Sequence, residues 1–547
     1  MSLFDALLLD PYPLTVWIAF RTDGIKGSGT LNDPYDGSTA SKFDALMNGF
    51  SANTRVQLGP GIFQTQGYSD EVTGGWQTKP GMKIVGSGID VTTLQLALNP
   101  QATNAQIYAI GHALVAAGVA NRMDTVEVSD LTVDCNLAPP PPPQWGSAVA
   151  CGAIRLMGNY AKVRRVKAIN WGTNAASGRP CFVIAVITGQ VVGSNVTEVA
   201  QPGIEECVIL QPGGSTYYGP VTLLHAGGKE DTSYTVEAYG KGPFIRNCFV
   251  DCGTAAAAAN FRALSMGWCR AGIVEGNEVY NTQVGGPYQD KASSRDLVVR
   301  NNYYKNVIRG PYWNLGGLST PATTLSTLVR DPSDPTKTIA LATTPSNPHN
   351  FQAGERVSIG GVGIPAGFPG LFVIKDLPAG NQFRYQMVSS PSQDAGANAA
   401  TCQKVFGVNK VVVEGNNVEL ATTSTAAAIH FEDGSPALET PDYVHGDVQV
   451  RANRVRYVDG LFDPTYLGYG TEIHGVKNLT VRDNVVDSAV ANPIRNTRCG
   501  SVNCFNNKSP ANALIQGLQT DVTPNKKYDE LQTNADDAFV LAYLKHG

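Results

Sequence analysis

Short runs of alternating apolar and polar residues recur along the chain, each broken by a polar corner and then resumed. Six share one shape: 245–250 (IRNCFV), 274–279 (VEGNEV), 299–304 (VRNNYY), 413–418 (VEGNNV), 450–455 (VRANRV) and 481–486 (VRDNVV). A weaker seventh follows at 502–506 (VNCFN). The asparagine comes one place early in the first, at Asn247, and Tyr304 closes the third in place of valine. The step from Asn277 to Asn302 is 25 residues, from Asn453 to Asn484 31, and from Asn484 to Asn506 22. A period of this size means stacked units, and units without a helical half exclude leucine-rich and ankyrin repeats. The pattern therefore predicts an all-β fold, a right-handed parallel β-helix (solenoid), in which neighbouring coils supply the backbone hydrogen bonds that one coil cannot make alone. Asparagine at a fixed corner can bond its own backbone, tolerate the left-handed region, and bond its equivalents on the coils above and below.

Other segments fill in the organisation. Residues 126–134 (VEVSDLTVD), 161–166 (AKVRRV) and 203–208 (GIEECV) read as earlier coils, and 54–61 (TRVQLGPG) places the start of the solenoid near residue 55. Upstream, 38–49 (STASKFDALMNG) begins with capping residues and carries Phe43, Leu46 and Met47 at helical spacing, a helix suited to covering an open solenoid end. Five prolines from Pro139 cannot form a ladder strand and predict a loop, as do 211–243 and 310–328. Between 335 and 405 the repeat gives way to short strands joined by Gly/Pro turns, an inserted small β domain. The predicted organisation is an opening segment and cap over 1–54, β-helix over 55–334, the insert over 335–405, the last coils over 406–515, and a helical cap over 516–547.

Composition narrows the function. With 41 Lys plus Arg against 46 Asp plus Glu, a net charge of -5 argues against a broad nucleic-acid-binding surface. Charged residues are only 16% of the chain, and 58 glycines and 33 prolines disfavour long helices. The longest apolar stretch, 181–193 (CFVIAVITGQVVG), is too short to span a bilayer and reads as buried strand, so no membrane insertion is expected. The N-terminal segment MSLFDALLLDPYPL has no basic region and no clear cleavage site. Ten dilute cysteines, including the close pairs Cys248/Cys252 and Cys499/Cys504, read as scattered buried thiols. No P-loop, HExxH or G-x-S-x-G is present, and His445 with Asp447 has no third partner nearby, so neither a cofactor nor a metal is expected.

The opening residues Arg21-Thr22-Asp23-Gly24, then 27–36 (GSGTLNDPYD), the helix near Phe43 and 56–63 (VQLGPGIF) add to the repeat. Together these features resemble the pectin-lyase-like superfamily of parallel β-helices, which includes polysaccharide lyases, glycosidases and tailspikes. The insert is similar to small β domains of bacterial surface and phage tail proteins at His349, Phe351, Gly354, Val357, Ile359, Gly361, Gly370, Phe372, Phe383 and Tyr385, with Ile374 in place of a valine and Pro369 in place of a tyrosine. Catalytic blocks do not carry over. The N-T-D, D-D, G-H-G and R-I-K blocks of polygalacturonase-like hydrolases are not present in order. Arg309-Gly310-Pro311 is not the R-x-P-x-x-R block of pectate lyases.

Candidate chemistry must then come from the residues themselves. In 428–434 (AIHFEDG), His430 and Glu432 share one face of a strand and Asp433 sits at the turn, a set suited to general acid/base work or to half of a carboxylate pair across a glycosidic bond. Asp290, beside Lys291 and near Tyr288, is a second candidate, and Asp463 a third; Glu432 and Asp290 are the first choices for acid and base. The competing reading makes Glu432 a polar tie at the turn. Aromatic residues in predicted loops (Trp145, Trp171, Tyr217, Tyr218, Trp268, Tyr288, Tyr312, Trp313, Tyr466, Tyr469) suit sugar rings or protein interfaces equally. Two functions remain open: a surface or virion-associated protein that recognises a polysaccharide, with lyase or hydrolase cleavage undecided, or a non-catalytic structural or adhesive protein on the same scaffold. The resemblance to tailspikes implies an extracellular, cell-surface or virion setting and a homo-oligomer, a trimer before a dimer. Light scattering checks this: assembly gives a mass near three times 58.0 kDa, and 58.0 kDa across a wide concentration range excludes it.

Overall fold

The structure, a computed structural model, describes residues 14–507 except 72–74, 100–101, 104, 138–148, 174–180, 193–194, 211–220, 228–238, 254–260, 283–285, 291–293, 314–322, 346–350, 352, 354–355, 388, 396–399, 406, 423, 425, 433–444, 459–468, 487–491, 498 and 506. The proline run, Trp145, Tyr217, Tyr218 and Tyr466 of the predicted loops, the candidates Asp433 and Asp463, the insert residues His349 and Gly354, and the segment predicted as a C-terminal helix lie outside the described residues. The chain divides into two compact units, Met1–Gly228 with Tyr239–Tyr288 and Arg300–Ile308, and Lys229–Ala238 with Gln289–Val299 and Arg309–Gly547.

In the first unit, each coil places two short strands on either side of a sharp corner. Lys162–Ile169, Gly203–Glu205, Phe244–Arg246 and Ile273–Glu275 follow one another on one side in parallel register, and Val208–Leu210, Phe249–Asp251, Glu278–Tyr280 and Tyr303–Val307 on the other. A second parallel sheet runs Gln106–Gly111, Ala150–Met157, Cys181–Ile187, Val221–Gly227 and Phe261–Gly267. Of the segment read as buried strand at 181–193, Cys181–Ile187 lies inside this sheet, while Gly189–Val192 pairs antiparallel with Asn195–Glu198. Parallel pairing begins before residue 55, because Leu14–Ala19 pairs with Thr54–Leu58. The predicted helix spans Ala40–Gly49, with the Thr39 hydroxyl capping Lys42 N–H. It buries Phe43, Asp44 and Met47 and rests Phe43 on Phe63 and Trp76. Burial pushes the Asp44 carboxyl up, and Thr65 and the Gln66 N–H donate to it.

The corner itself corrects one expectation. The left-handed residue is the one before the buried column position: Asn247, ahead of Cys248, with Gly276 and Asn301 ahead of asparagines in the first unit and Gly415, Ala452 and Asp483 in the second, all at positive φ. At Gly276 a Cβ would also fall 2.3 Å from Asn247 Oδ1, so glycine suits the position doubly. The asparagine that follows is buried and turns its carboxamide along the stack. Asn277 Oδ1 accepts from Cys248 N–H at 2.9 Å, while Asn277 N–H and Nδ2 donate to Asn302 Oδ1 at 3.0 and 2.9 Å. The second unit repeats the rung: Asn416 donates to Asn453, Asn453 to Asn484, and Asn484 to Asn507, each through main-chain and side-chain nitrogens. Each side-chain amide also donates to a strand carbonyl, as Asn453 does to Val413 O at 2.9 Å. The last rung among the described residues is therefore Asn507, one residue beyond the Asn506 of the seventh repeat. In the earlier coils the same column is filled by Val166, Cys207 and Cys248, all buried, with Arg165 and Glu206 left-handed before the first two.

In the second unit Val411–Glu414, His445–Arg451, Val476–Arg482 and Ser501–Phe505 run parallel, flanked beyond the corner by Asn417–Leu420, Arg454–Tyr457 and Val485–Val486. Between Thr323 and Val405 the pattern changes to a seven-stranded antiparallel sheet curled around its own core. Phe372 stacks on Tyr385 at 4.3 Å, and the Tyr385 hydroxyl donates to Phe368 O at 3.0 Å. All ten cysteines are buried and free. Among the described residues no helix is long and apolar enough to cross a membrane.

Two outcomes follow for stability. Asn453→Ala removes the acceptor of two Asn416 donors and the side-chain donor to Val413 O and Asn484 Oδ1, the last of which keeps only the main-chain N–H of residue 453, and is expected to cost about 3 kcal/mol in denaturant unfolding. Asn306→Ala, whose amide donates to Asn281 at an exposed edge and whose backbone is left-handed at φ 55°, should cost less, about 1 kcal/mol. A buried imidazole sets the second. His112 Nδ1 lies 3.0 Å from the Thr78 hydroxyl, and burial first, then the Arg155 charge, holds its pKa down at about 4. The unfolded chain takes this proton near 6.5 and the folded one not until about 4, so this contribution is full above pH 6.5 and is lost as the pH falls through that window. Unfolding midpoints measured from pH 7 to 4 should fall, and less steeply in His112→Gln.

Candidate functional site

The second sheet of the second unit carries the chemistry. Its strands are short, and the alternation A-I-H-F-E and T-E-I-H sends every other side chain to one face. Tyr312 is in register with Gln289 and His430, and His430 with Glu472; Trp313 pairs with Asp290 and Phe431, and Phe431 with Ile473. Asp290, Trp313, Phe431 and Ile473 are completely buried, so this row faces the bore. Trp313 and Phe431 stack in it at 4.2 Å with rings 2° from parallel. The other row, Tyr312, His430 and Glu472, faces outward, and Glu432 and His474 continue that face two residues on.

Backbone bonds fix the patch. His430 N–H donates to Pro311 O at 3.0 Å, Glu432 N–H to Trp313 O at 3.0 Å, and Glu472 N–H to Ile429 O at 2.8 Å. Gly310 permits the close pass of this coil, since a Cβ there would fall 1.6 Å from Ala428 O. Tyr312 stacks on His430 at 5.0 Å, and its hydroxyl donates to Glu432. The Arg309 guanidinium sits 4.6 Å over the Tyr312 ring. Burial, then the hydrogen bond to Glu432, pushes the Tyr312 hydroxyl well up, so it stays protonated as the donor. Behind the strand, Val408 N–H donates to His445 Nδ1 at 3.4 Å, which leaves the other ring nitrogen to donate to Glu432 O at 3.1 Å. Burial holds His445 neutral, with its pKa at about 3.

Beside Glu432 lies a second cluster. His430 Nε2 is 3.7 Å from one Glu472 oxygen and His474 Nε2 is 3.3 Å from the other. The three donor atoms lie within 4.8 Å of one another. Burial lowers the His430 pKa to about 4, against the opposing pull of Glu472.

Sequence reasoning placed His430 and Glu432 correctly on one strand face. It paired Glu432 with Asp290, and the structure corrects this: Asp290 is on the bore-facing row, opposite in phase to His430, and cannot reach a substrate on the outer face. Trp171, Trp268, Tyr288 and Trp313, read as loop aromatics, are buried side chains, and Tyr312 is 6% exposed, so none of these offers a sugar-stacking platform. His445 does not pair with Asp447, which instead accepts from Asn478 Nδ2 at 2.7 Å. Glu472 and His474 were missed, and Tyr312 and Arg309 were named only as a loop aromatic and as part of Arg309-Gly310-Pro311. The signal was the T-E-I-H alternation one coil after A-I-H-F-E, whose meaning depends on the register between them.

Coils of this form are those of a right-handed parallel β-helix, interrupted by an inserted antiparallel domain. No protein-family model matches the chain, and no curated protein does. Among solved structures it is similar to PfbA, a surface adhesin of Streptococcus pneumoniae, at 10% identity over 86% of this chain and 85% of that one, with a TM-score of 0.50. The tailspike protein of E. coli bacteriophage HK620, solved with a pentasaccharide, matches at 10% identity over 86% and 61%, TM-score 0.47. The A-module of the Azotobacter vinelandii mannuronan C-5 epimerase AlgE4 matches at 10% identity over 90% and 99%, TM-score 0.34. The likeness is one of fold.

Proposed function

We propose that this is a surface- or virion-borne β-helix that recognises a polysaccharide on the outer face of the second unit and cleaves it there, with Glu432 as the acting carboxylate. The observation that carries the reading is the Glu432–Tyr312 bond on an outward strand face. A protonated phenol donating to a carboxylate holds that carboxylate in a fixed orientation, which is what a general base or nucleophile needs. The bore is filled by residues such as Val413, Val450, Val481, Trp313 and Phe431, so a chain substrate has only the outside to lie on. Among the described residues this patch carries the carboxylates Glu432 and Glu472 and the Arg309 guanidinium, and this balance favours a neutral polysaccharide over a polyuronate. Sugar hydroxyls would donate to the carboxylates and accept from Arg309. The surface or virion setting and assembly as a homo-oligomer belong to the same proposal.

The test is turnover on a panel of neutral and acidic polysaccharides, read as new reducing ends, with saccharide binding measured alongside. Glu432→Gln should keep binding and lose at least about 100-fold in turnover, and Tyr312→Phe should lose less. Full activity in folded Glu432→Gln removes this residue from the mechanism. Binding by wild type without cleavage of any member of the panel moves the protein to the adhesive reading.

A further inference from the structure

Two imidazoles converging on one carboxylate are more than the glycan reading requires. We propose that His430, Glu472 and His474 form a binding site for a divalent transition-metal ion of the zinc class. Both imidazoles present Nε2 to Glu472, one to each oxygen, at 3.7 and 3.3 Å. These separations are longer than ordinary hydrogen bonds, which run to about 3.2 Å. The His474–Glu472 separation matches the edge of a coordination tetrahedron, which is about 3.3–3.4 Å for metal–ligand bonds near 2.0–2.1 Å. One donor atom from each of the three residues lies within 4.8 Å of the other two, and the longer separations close to that edge by rotation about the side-chain bonds. Backbone register fixes two of the ligands opposite each other, His430 and Glu472, and the strand period brings His474 to the same face. Stacking on Tyr312 orients the His430 ring.

The donor set selects the ion. Two nitrogens and one carboxylate suit zinc and its first-row neighbours; magnesium and calcium prefer all-oxygen sets. Three protein ligands on an outward face leave a position open toward solvent, the arrangement of a reactive site and not of a closed structural one. Glu432 stands on the adjoining register position, next to His474. The site's existence does not depend on the glycan reading, and it is tested with metal alone.

The full chain is treated with a chelator, dialysed, and titrated with Zn²⁺ by calorimetry in the absence of saccharide. A single tight equivalent per chain is expected, not displaced by excess Mg²⁺ or Ca²⁺. His474→Gln and Glu472→Gln, checked for folding by circular dichroism, should each weaken binding by at least about 100-fold, more than the loss of a supporting residue would cause. Asn306→Ala should bind as wild type does. Absence of Zn²⁺ uptake by folded wild type, or unchanged uptake in the folded ligand variants, overturns the proposal. If the variants do not fold, the visible spectrum of Co²⁺-loaded wild type decides. An intense tetrahedral band supports the site, and the weak spectrum of aqueous octahedral Co²⁺ overturns it.

Discussion

A coil of a parallel β-helix closes none of its own backbone hydrogen bonds. Every strand N–H and C=O must find its partner one coil away, and the turns between strands are where that regularity is hardest to keep. In this protein the buried asparagines solve the problem at one corner. Each carboxamide accepts from the coil before it and donates both to a strand carbonyl of that coil and to the next asparagine. A left-handed residue immediately ahead turns the chain so that the carboxamide can point along the stack. Strand register, and with it the position of every outward side chain, rests on this corner.

The candidate site inherits its geometry from the same constraint. His430, Glu472 and Tyr312 come from three separate coils, yet they meet because parallel register puts them on one line across the sheet. The bore side of the same strands is packed with Trp313 and Phe431, which leaves these short strands little freedom to slide. Polar chemistry outside and aromatic packing inside are two readings of a single period of two.

The repeat was legible in the sequence because its signal is periodic and its corner residue is chemically special. The left-handed position was not, because Gly, Asn, Ala and Asp all occupy it. His430 and Glu432 could be placed on one face from A-I-H-F-E alone, where several residues set the phase. The strand Tyr288–Asp290 is too short for that, and its phase is defined only by Trp313 across the sheet. Glu472 and His474 lie one coil away, so their relation to His430 is a register fact that no local pattern carries. The buried tryptophans were misread for a related reason: an aromatic at the end of a short strand reads the same whether it faces the bore or the solvent.

The inserted sheet has a property of its own. Its first strand, Thr323–Thr324, runs antiparallel beside its last, Ala400–Val405, with Thr323 opposite Cys402. The chain therefore leaves and rejoins the coil at neighbouring points, and the intervening segment keeps a separate hydrophobic core. Such an arrangement behaves as a cassette. A short turn could bridge the two points without pulling the flanking coils out of register, and a different domain with closely spaced ends could be spliced into the same place. The register of the coils and the packing of the insert are thus mechanically uncoupled, so a change in one leaves the other in place.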